Sequence, residues 1–183
     1  MPEQQGAVTL RGQPVTLMGQ PVEVGDRAPD VTVLDNDLRP VKLSAYRGKV
    51  VILTSVPSLD TSVCDLETRR FNQEAARLSG DIVILTVSMD LPFAQKRWCG
   101  AAGVDKVKTL SDHREAAFGT AYGLLIKELR LLARSVIVLD REGVVRYKEL
   151  VRETTHEPNY EAALKAARDM LKEEGPWEKT RTR

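Results

Sequence analysis

The chain has 183 residues, 42% of them hydrophobic, and its 27 lysines and arginines nearly balance 26 aspartates and glutamates. This length supports one substantial core, so we expect a single domain over residues 1–183. A net charge of +1 without long blocks of either sign gives no reason to expect nucleic acid or an acidic membrane as a partner. Because no apolar run is long enough for a bilayer span or a secretory leader, we expect a soluble, cytoplasmic protein.

The N-terminal residues 1–20 predict a β-hairpin that extends the core. The β-prone runs AVTL and PVTLMG flank a turn at Arg11 to Gln13. The alternating runs DVTVLD and PVKLSAY predict a second antiparallel pair. After them, KVVILTSV and DIVILTVSM are nearly continuous β-branched runs, which is typical of central strands covered on both faces.

A helix is predicted between these two central strands, which makes the unit a βαβ crossover of the right-handed kind. Later runs alternate helical and strand patterns, so the whole chain predicts an α/β domain with a mixed sheet. The residues that mark the crossover helix at helical spacing are Val63, Leu66, Arg70, Phe71, Ala75 and Leu78. The later elements are helices from Pro92 to about Gly100, around Glu115 to Tyr122 and across PNYEAALKAARDMLKEE, a short strand in VKTLSD, a strand pair in SVIVLDREGVVRYKELV, and a frayed tail at 175–183.

Two cysteines, Cys64 and Cys99, stand 35 positions apart. This spacing is neither a C-x-x-C redox motif nor the dense framework of a small secreted protein. A metal site built from both cysteines with His113 and His156 has little support, because structural zinc sites show close ligand pairs. No phosphate-loop or dinucleotide motif is present either, and we predict neither a metal nor a cofactor.

The segment SVPSLDTSVC places a thiol where a helix is predicted to begin. With a helix start near Asp60 or Thr61, Cys64 lies in the first turn, whose unpaired N–H groups and macrodipole favour a thiolate. Pro57 ends the preceding strand, and the Thr61 hydroxyl can lie on the same side of the turn as the sulfur. Taken singly, a loop breaker, an N-cap and a buried thiol are the commoner roles. Together, as P-x-x-x-T-x-x-C, they favour a nucleophile site.

Two segments resemble a known family. PSLDTSVC resembles the peroxidatic motif of peroxiredoxins, and DLPFAQKRWCG resembles the second-cysteine segment of their thiol peroxidase (Tpx) branch, the atypical two-cysteine enzymes. The similarity continues through LSDHR, AYG, LLARSVIVLD and EPNYEAAL, although Trp98 stands where relatives often have phenylalanine. The resemblance implies a thioredoxin-like fold, with a mixed central sheet flanked by helices and an N-terminal β-hairpin extension.

The resemblance also implies roles for five residues. Cys64 would be the peroxidatic cysteine, Thr61 its hydroxyl partner and Pro57 the residue that shields it. Arg134 matches the family's distant arginine; without the resemblance it would be interpreted as an exposed charge at a strand edge. Cys99 would be the resolving cysteine, which forms a disulfide with Cys64.

The implied activity is thiol-dependent reduction of hydrogen peroxide and organic (alkyl) hydroperoxides, in antioxidant defence. A Cys64 sulfenic acid and an intramolecular Cys64–Cys99 disulfide would be recycled by thioredoxin, and the family resemblance suggests a homodimer. Because a disulfide needs Cα atoms within about 7 Å, both helices would unwind locally on oxidation. Two alternatives stay open at this point, namely a peroxide sensor and a non-enzymatic thioredoxin-like binding protein.

Overall fold

A computed structural model of the chain describes residues 1–173, and the tail predicted at 175–183 lies outside them. The strands of the first half are β1 (Glu3–Leu10), β2 (Gln13–Met18), β3 (Thr32–Leu34), β4 (Pro40–Lys42), β5 (Val50–Ser55) and β6 (Ile82–Ser88). Those of the second half are β7 (Lys108–Ser111), β8 (Leu125–Ile126), β9 (Leu131–Leu132), β10 (Ser135–Leu139) and β11 (Val145–Leu150). The α-helices of the described residues are α1 (Ser62–Ala75), α2 (Pro92–Ala102), α3 (Ala117–Ala121) and α4 (Tyr160–Lys172).

A seven-stranded mixed sheet with the order β11-β10-β5-β6-β7-β3-β4 forms the centre of the molecule. Strand β5 pairs in parallel with β6, and β6 in parallel with β7, whereas β10 runs antiparallel to β5. The parallel pair flanks α1, as a βαβ crossover requires. The predicted thioredoxin-like α/β class with a mixed sheet is therefore confirmed.

Both faces of the sheet are covered, which explains why the central strands are apolar throughout. All six residues of β5 are buried. Val50 and Ile52 pack in one core cluster with Phe71 of α1, while Val51 and Leu53 belong to the cluster on the opposite face. Because side chains alternate along a strand, a strand covered on both faces shows no polar period.

A second, four-stranded sheet with the order β1-β2-β8-β9 holds the N-terminal hairpin against the body. The hairpin turns at Arg11 and Gly12, whose φ angles are +50° and +77°. Two successive residues in the left-handed region make a type I′ turn, which matches the twist of the flanking strands. The sequence predicts no element at the β8–β9 hairpin, because strands of two residues each are too short to show an alternation of apolar and polar residues.

Helix α1 corrects the predicted apolar face. Leu66 is 52% exposed, and the side chains that α1 buries belong to Cys64, Glu67, Thr68 and Phe71. Spacings of three, four and seven residues from Cys64 define one helical face, whereas Leu66 lies nearly opposite. Hydrophobicity alone therefore selected the wrong residue, and the buried face carries a carboxylate instead.

None of the helices that the structure describes is long and apolar enough to cross a membrane.

Candidate active site

Cys64 lies in the first turn of α1 and is fully buried, with a free thiol. Thr61 is the N-cap, so the helix starts at Ser62, just after the predicted start. The third helical position of Cys64 sets its sulfur near N–H groups that have no partner within the helix. The partial positive charge of the helix end favours a thiolate there.

Arg134 lies just before β10 and is only 1% exposed, so its interpretation as an exposed strand-edge charge is wrong. Its Nη2 donates to Cys64 Sγ at 3.1 Å, and its Nε donates to the Thr154 carbonyl at 2.9 Å. Its Nη1 pairs with Glu67 Oε2. The three donors are thus held by two segments, α1 and the segment after β11, which fixes the plane of the guanidinium beside the sulfur.

Glu67 is a site residue that sequence reasoning missed. Burial raises the pKa of Glu67 to about 7, and the charge of Arg134 offsets only part of this increase. Burial also acts to lower the pKa of Arg134, but Glu67 and Cys64 outweigh it and the net change is upward. Its position in the sequence could have identified it, because Glu67 follows Cys64 by three residues and therefore lies on the same face of α1.

Thr61 and Pro57 lie at the mouth of the site. The Thr61 hydroxyl donates to the Ser58 carbonyl at 2.8 Å, and so it bonds its own loop rather than the Cys64 sulfur. Its oxygen keeps lone pairs that can accept a further hydrogen bond. Pro57 is buried where the chain leaves β5. Pro57, Thr61 and Arg134 line one open pocket of about 750 Å³.

The four-stranded sheet also contributes to the lining of this pocket. Leu10 and Val15 of the N-terminal hairpin and Ile126 and Leu131 of the β8–β9 hairpin line it. Their side chains are hydrocarbon, whereas Arg11 and Gln13 of the hairpin add polar groups, so the pocket combines apolar side chains with polar ones that include Arg134. Such a lining suits a ligand with one polar group and an apolar remainder.

The loop before Cys64 is held by Asp90, which sequence reasoning also missed. Asp90 accepts hydrogen bonds from the Ser58 hydroxyl at 2.6 Å and from the Leu59 N–H at 2.9 Å. The Ser88 hydroxyl donates to the same carboxylate at 2.7 Å. Asp90 precedes α2, so one side chain ties the first-cysteine loop to the second-cysteine segment.

Cys99 lies in α2, half-buried, and the structure does not join it to Cys64. Its Sγ is 3.3 Å from the Thr109 hydroxyl, and both cysteines are free thiols. Cys99 lines a separate groove of about 320 Å³ that shares no lining residue with the pocket beside Cys64. Among residues 1–173, no three His, Cys, Asp or Glu side chains converge as metal ligands would.

Comparison with known proteins decides the family. The redoxin family model matches residues 23–164. A thiol peroxidase of Bacillus subtilis (strain 168) is 59% identical over 165 residues, which cover 90% of this chain and 98% of the relative. A thiol peroxidase of Staphylococcus aureus (strain MRSA252) is 54% identical over 163 residues, covering 89% of this chain and 98% of the relative. The chain belongs to the thiol peroxidases.

Solved structures agree with this membership. A peroxiredoxin-like protein from Aquifex aeolicus shares 40% identity and superposes with a TM-score of 0.84, over 91% of this chain and 98% of its own. A thiol peroxidase from Chromobacterium violaceum shares 19% identity with a TM-score of 0.80, over 90% and 97%, and so supports the fold alone. Membership of the thiol peroxidases confirms the expectation of a peroxidase-class oxidoreductase with thiol-dependent activity, and it weighs against a non-enzymatic binding protein.

Proposed function

We propose that this thiol peroxidase reduces hydrogen peroxide and alkyl hydroperoxides with Cys64 as the peroxidatic cysteine. Arg134 and Thr61 would bind the peroxide, Pro57 would shield the sulfur, and Cys99 would resolve the oxidised form. The observation that carries the proposal is the 3.1 Å contact between Arg134 Nη2 and the buried Cys64 Sγ. A permanently charged donor at a buried thiol favours the anion, which is the nucleophilic form.

In the first step, the Cys64 thiolate attacks one peroxide oxygen. An S–O bond forms and the O–O bond breaks, and the departing oxygen takes a proton and leaves as water or an alcohol. Arg134 can donate to a peroxide oxygen while negative charge moves onto it. Thr61, whose hydroxyl hydrogen goes to Ser58, can accept the peroxide hydrogen. The two residues would together hold the O–O bond in line with the sulfur.

In the second step, Cys99 attacks the Cys64 sulfenic acid, which releases water and leaves a disulfide. A dithiol reductant returns both cysteines to thiols by exchange, and we propose thioredoxin on the basis of the family resemblance. The proposed reaction needs no further redox group, because the cysteine sulfurs supply both electrons that reduce the peroxide.

The pocket supports the inclusion of alkyl hydroperoxides among the substrates. Its apolar wall, with Leu10, Val15 and Ile126, belongs to the same pocket as Pro57, Thr61 and Arg134. An alkyl tail on that wall would bury apolar area, which hydrogen peroxide lacks. We therefore expect turnover of both substrate types and tighter apparent binding of the alkyl ones.

The remaining parts of the proposal rest on the family resemblance and on composition. We propose a homodimer with the active site near the interface, a single domain over residues 1–183 and a cytoplasmic location. Light scattering after size-exclusion chromatography would test the dimer, with a monomer mass as the contradicting result.

Oxidation with one equivalent of peroxide tests the chemical route. Mass spectrometry of the alkylated protein should then find both thiols consumed and an intramolecular Cys64–Cys99 link. An intermolecular link or a persistent sulfenic acid would contradict the assignment of Cys99.

Two matched serine variants separate the roles of the cysteines. Cys64→Ser should abolish peroxide consumption. Cys99→Ser should keep the first turnover, with one equivalent of peroxide consumed, and lose thioredoxin-driven cycling. Full steady-state activity in Cys64→Ser would overturn the whole mechanism.

A further inference from the structure

A cluster of three side chains, Asp65, Trp98 and Arg69, connects the two helices that carry the cysteines. Trp98 Nε1 donates to Asp65 Oδ1 at 2.9 Å, and Arg69 Nε donates to Asp65 Oδ2 at 2.9 Å. The Arg69 guanidinium lies over the Trp98 ring, 5.8 Å from its centroid. Arg69 Nη1 also donates to the Ala102 carbonyl at 3.3 Å, near the end of α2. We call this cluster the interhelix bridge.

The interhelix bridge is placed directly beside both thiols along the chain. Asp65 follows Cys64 in the first turn of α1, and Trp98 precedes Cys99 in the second half of α2. Trp98 is only 9% exposed, so its N–H depends on Asp65 for a partner that water supplies poorly. Any movement that unwinds either helix at its cysteine must displace a bridge residue.

Cys99 has its own attachments in the reduced state. The Thr109 hydroxyl donates to Asn36 Oδ1 at 3.0 Å, which uses its one hydrogen. The Cys99 thiol is therefore the donor in its 3.3 Å contact with Thr109. The Cys99 carbonyl accepts from the Val104 N–H at 3.1 Å, at the helix end where Gly103 has φ +67°. The last turn of α2 must open before Cys99 can leave.

We propose that the interhelix bridge sets the rate at which Cys99 resolves oxidised Cys64. Asp65 and Trp98 are positioning residues, since the hydrogen bonds of the two sulfurs go to Thr109 and Arg134 and the bridge acts by holding the two helix turns closed. This inference rests on the proposed Cys64–Cys99 chemistry and adds the step that limits it. Trp98 has the N–H that this bridge requires, which a phenylalanine at the same position would lack.

The bridge then decides between two fates of the Cys64 sulfenic acid. In the first, Cys99 attacks, an S–S bond forms, the S–O bond breaks and water leaves. In the second, the deprotonated sulfenic acid attacks another peroxide, a second S–O bond forms, the O–O bond breaks, and water or an alcohol leaves behind a sulfinic acid. A closed bridge slows only the first reaction, so it raises the fraction of protein lost to the second.

Trp98→Phe tests the bridge with little change in packing, because it removes the N–H and keeps an aromatic ring. Rapid acid quench, alkylation and intact-mass analysis would follow Cys64 oxidation and disulfide formation separately. We expect an unchanged rate of Cys64 oxidation and a disulfide rate about 3- to 10-fold higher, the range for net loss of one ordinary hydrogen bond. At high peroxide with dithiothreitol cycling, the sulfinic fraction should fall correspondingly.

Asp65→Asn weakens the same hydrogen bond from the other side, and a double-mutant cycle isolates it. Both single variants should speed disulfide formation, and the double variant should be no faster than the faster single one. Glu74→Gln is the matched control. It removes a carboxylate of α1 that pairs with an arginine four residues away on the same helix and does not contact α2. Its rate of disulfide formation should equal that of the parent. If Trp98→Phe fails to fold, Asp65→Asn decides alone.

Different results would overturn the bridge and the proposed Cys64–Cys99 route. Equal disulfide rates in the parent and both bridge variants, with the Cys64–Cys99 link present, would overturn the inference and leave the proposed function intact. Absence of that link in the parent protein would overturn the proposed route itself. Acceleration in Glu74→Gln equal to that in Trp98→Phe would also overturn the inference, since general loosening of α1 would then explain the effect.

Discussion

The guanidinium of Arg134 faces two acidic groups, the Cys64 thiol and the Glu67 carboxyl. One positive charge can balance one negative charge, so thiolate and carboxylate compete for it in a buried site. Burial raises the pKa of Glu67 to about 7, so this carboxyl gains and loses its proton near neutral pH. A protonated Glu67 leaves Arg134 free to support the thiolate, while its carbonyl oxygen can still orient the guanidinium.

Glu67→Gln should therefore change how stability depends on pH. The ordinary pKa of Glu67 is 4.5 and its folded value is about 7, so between these values the folded chain holds a proton that the unfolded chain has lost. The free energy of unfolding consequently falls as pH rises through this window, by on the order of 2 kcal/mol for this group. Glu67→Gln lacks this titrating group, so its free energy of unfolding should rise relative to that of the parent as pH increases over the same range.

Urea denaturation of the two reduced proteins at several pH values from 4.5 to 8 would measure this difference. Groups common to both proteins cancel in the comparison. Parallel stability curves across the window would contradict the raised pKa of Glu67.

At the scale of elements, the loop between β5 and α1 is fixed by a side chain from outside it. Asp90 binds the Ser58 hydroxyl and the Leu59 N–H, while the Ser58 carbonyl accepts from the Thr61 hydroxyl. The orientation of Thr61 toward the pocket thus depends on a residue 29 positions later in the chain. A loop held in this way would lose little entropy on binding the peroxide that we propose as its substrate.

Asp90→Ala should loosen this loop and reduce activity without touching the sulfur. We expect kcat/KM for peroxide to fall about 10-fold and the free energy of unfolding to fall by about 2 kcal/mol, because several partly buried donors lose a charged acceptor. Steady-state kinetics and thermal unfolding would measure both effects. Asp60→Ala, which changes an exposed aspartate of the same loop, is the control and should change neither; unchanged kinetics in Asp90→Ala would refute the positioning role.

At the scale of the whole molecule, the N-terminal hairpin forms a wall of the pocket that Arg134 and Thr61 also line. The Thr9 N–H donates to the Arg152 carbonyl at 2.7 Å and the Thr154 N–H donates to the Thr9 carbonyl at 2.8 Å. Thr154 in turn supplies the carbonyl that accepts from Arg134 Nε. Hydrogen bonds therefore connect the hairpin, the segment after β11 and Arg134.

Gly19→Ala should displace the hairpin from the body. A Cβ at Gly19 would lie 1.9 Å from the Thr120 carbonyl oxygen, and its φ is +100°. We expect a loss of about 3 kcal/mol from the clash and the backbone conformation together, with a lower ratio of kcat/KM for cumene hydroperoxide over hydrogen peroxide.

Gly12→Ala is the matched control, because its φ is +77° but no atom lies within 4 Å of the added Cβ. It should lose about 1 kcal/mol and keep the substrate ratio. An unchanged ratio in Gly19→Ala would contradict the role of the hairpin as a pocket wall.

Much of the fold followed from local patterns. The β5 and β6 runs were predicted as doubly covered strands because burial on both faces removes polar residues, and the hairpin was predicted from two β-prone runs on either side of Arg11 to Gln13. The apolar face assigned to α1 was wrong at Leu66, and the β8–β9 hairpin escaped notice. In both places the structure depends on packing against other segments, which the spacing of apolar residues along the chain does not reveal.

The sequence by itself determined the family, the alternation of strands and helices, and the position of Cys64 at a helix start, since these depend on motifs and on contacts a few residues apart. Only the tertiary structure decided that Arg134 is buried against Cys64, that Glu67 shares its charge, and that Asp90 and the Asp65–Trp98 contact hold the two cysteine segments. These contacts join residues 31 to 70 positions apart. Which distant partner a buried polar group finds depends on how the sheet and helices pack, because its desolvation must be compensated wherever the fold places it.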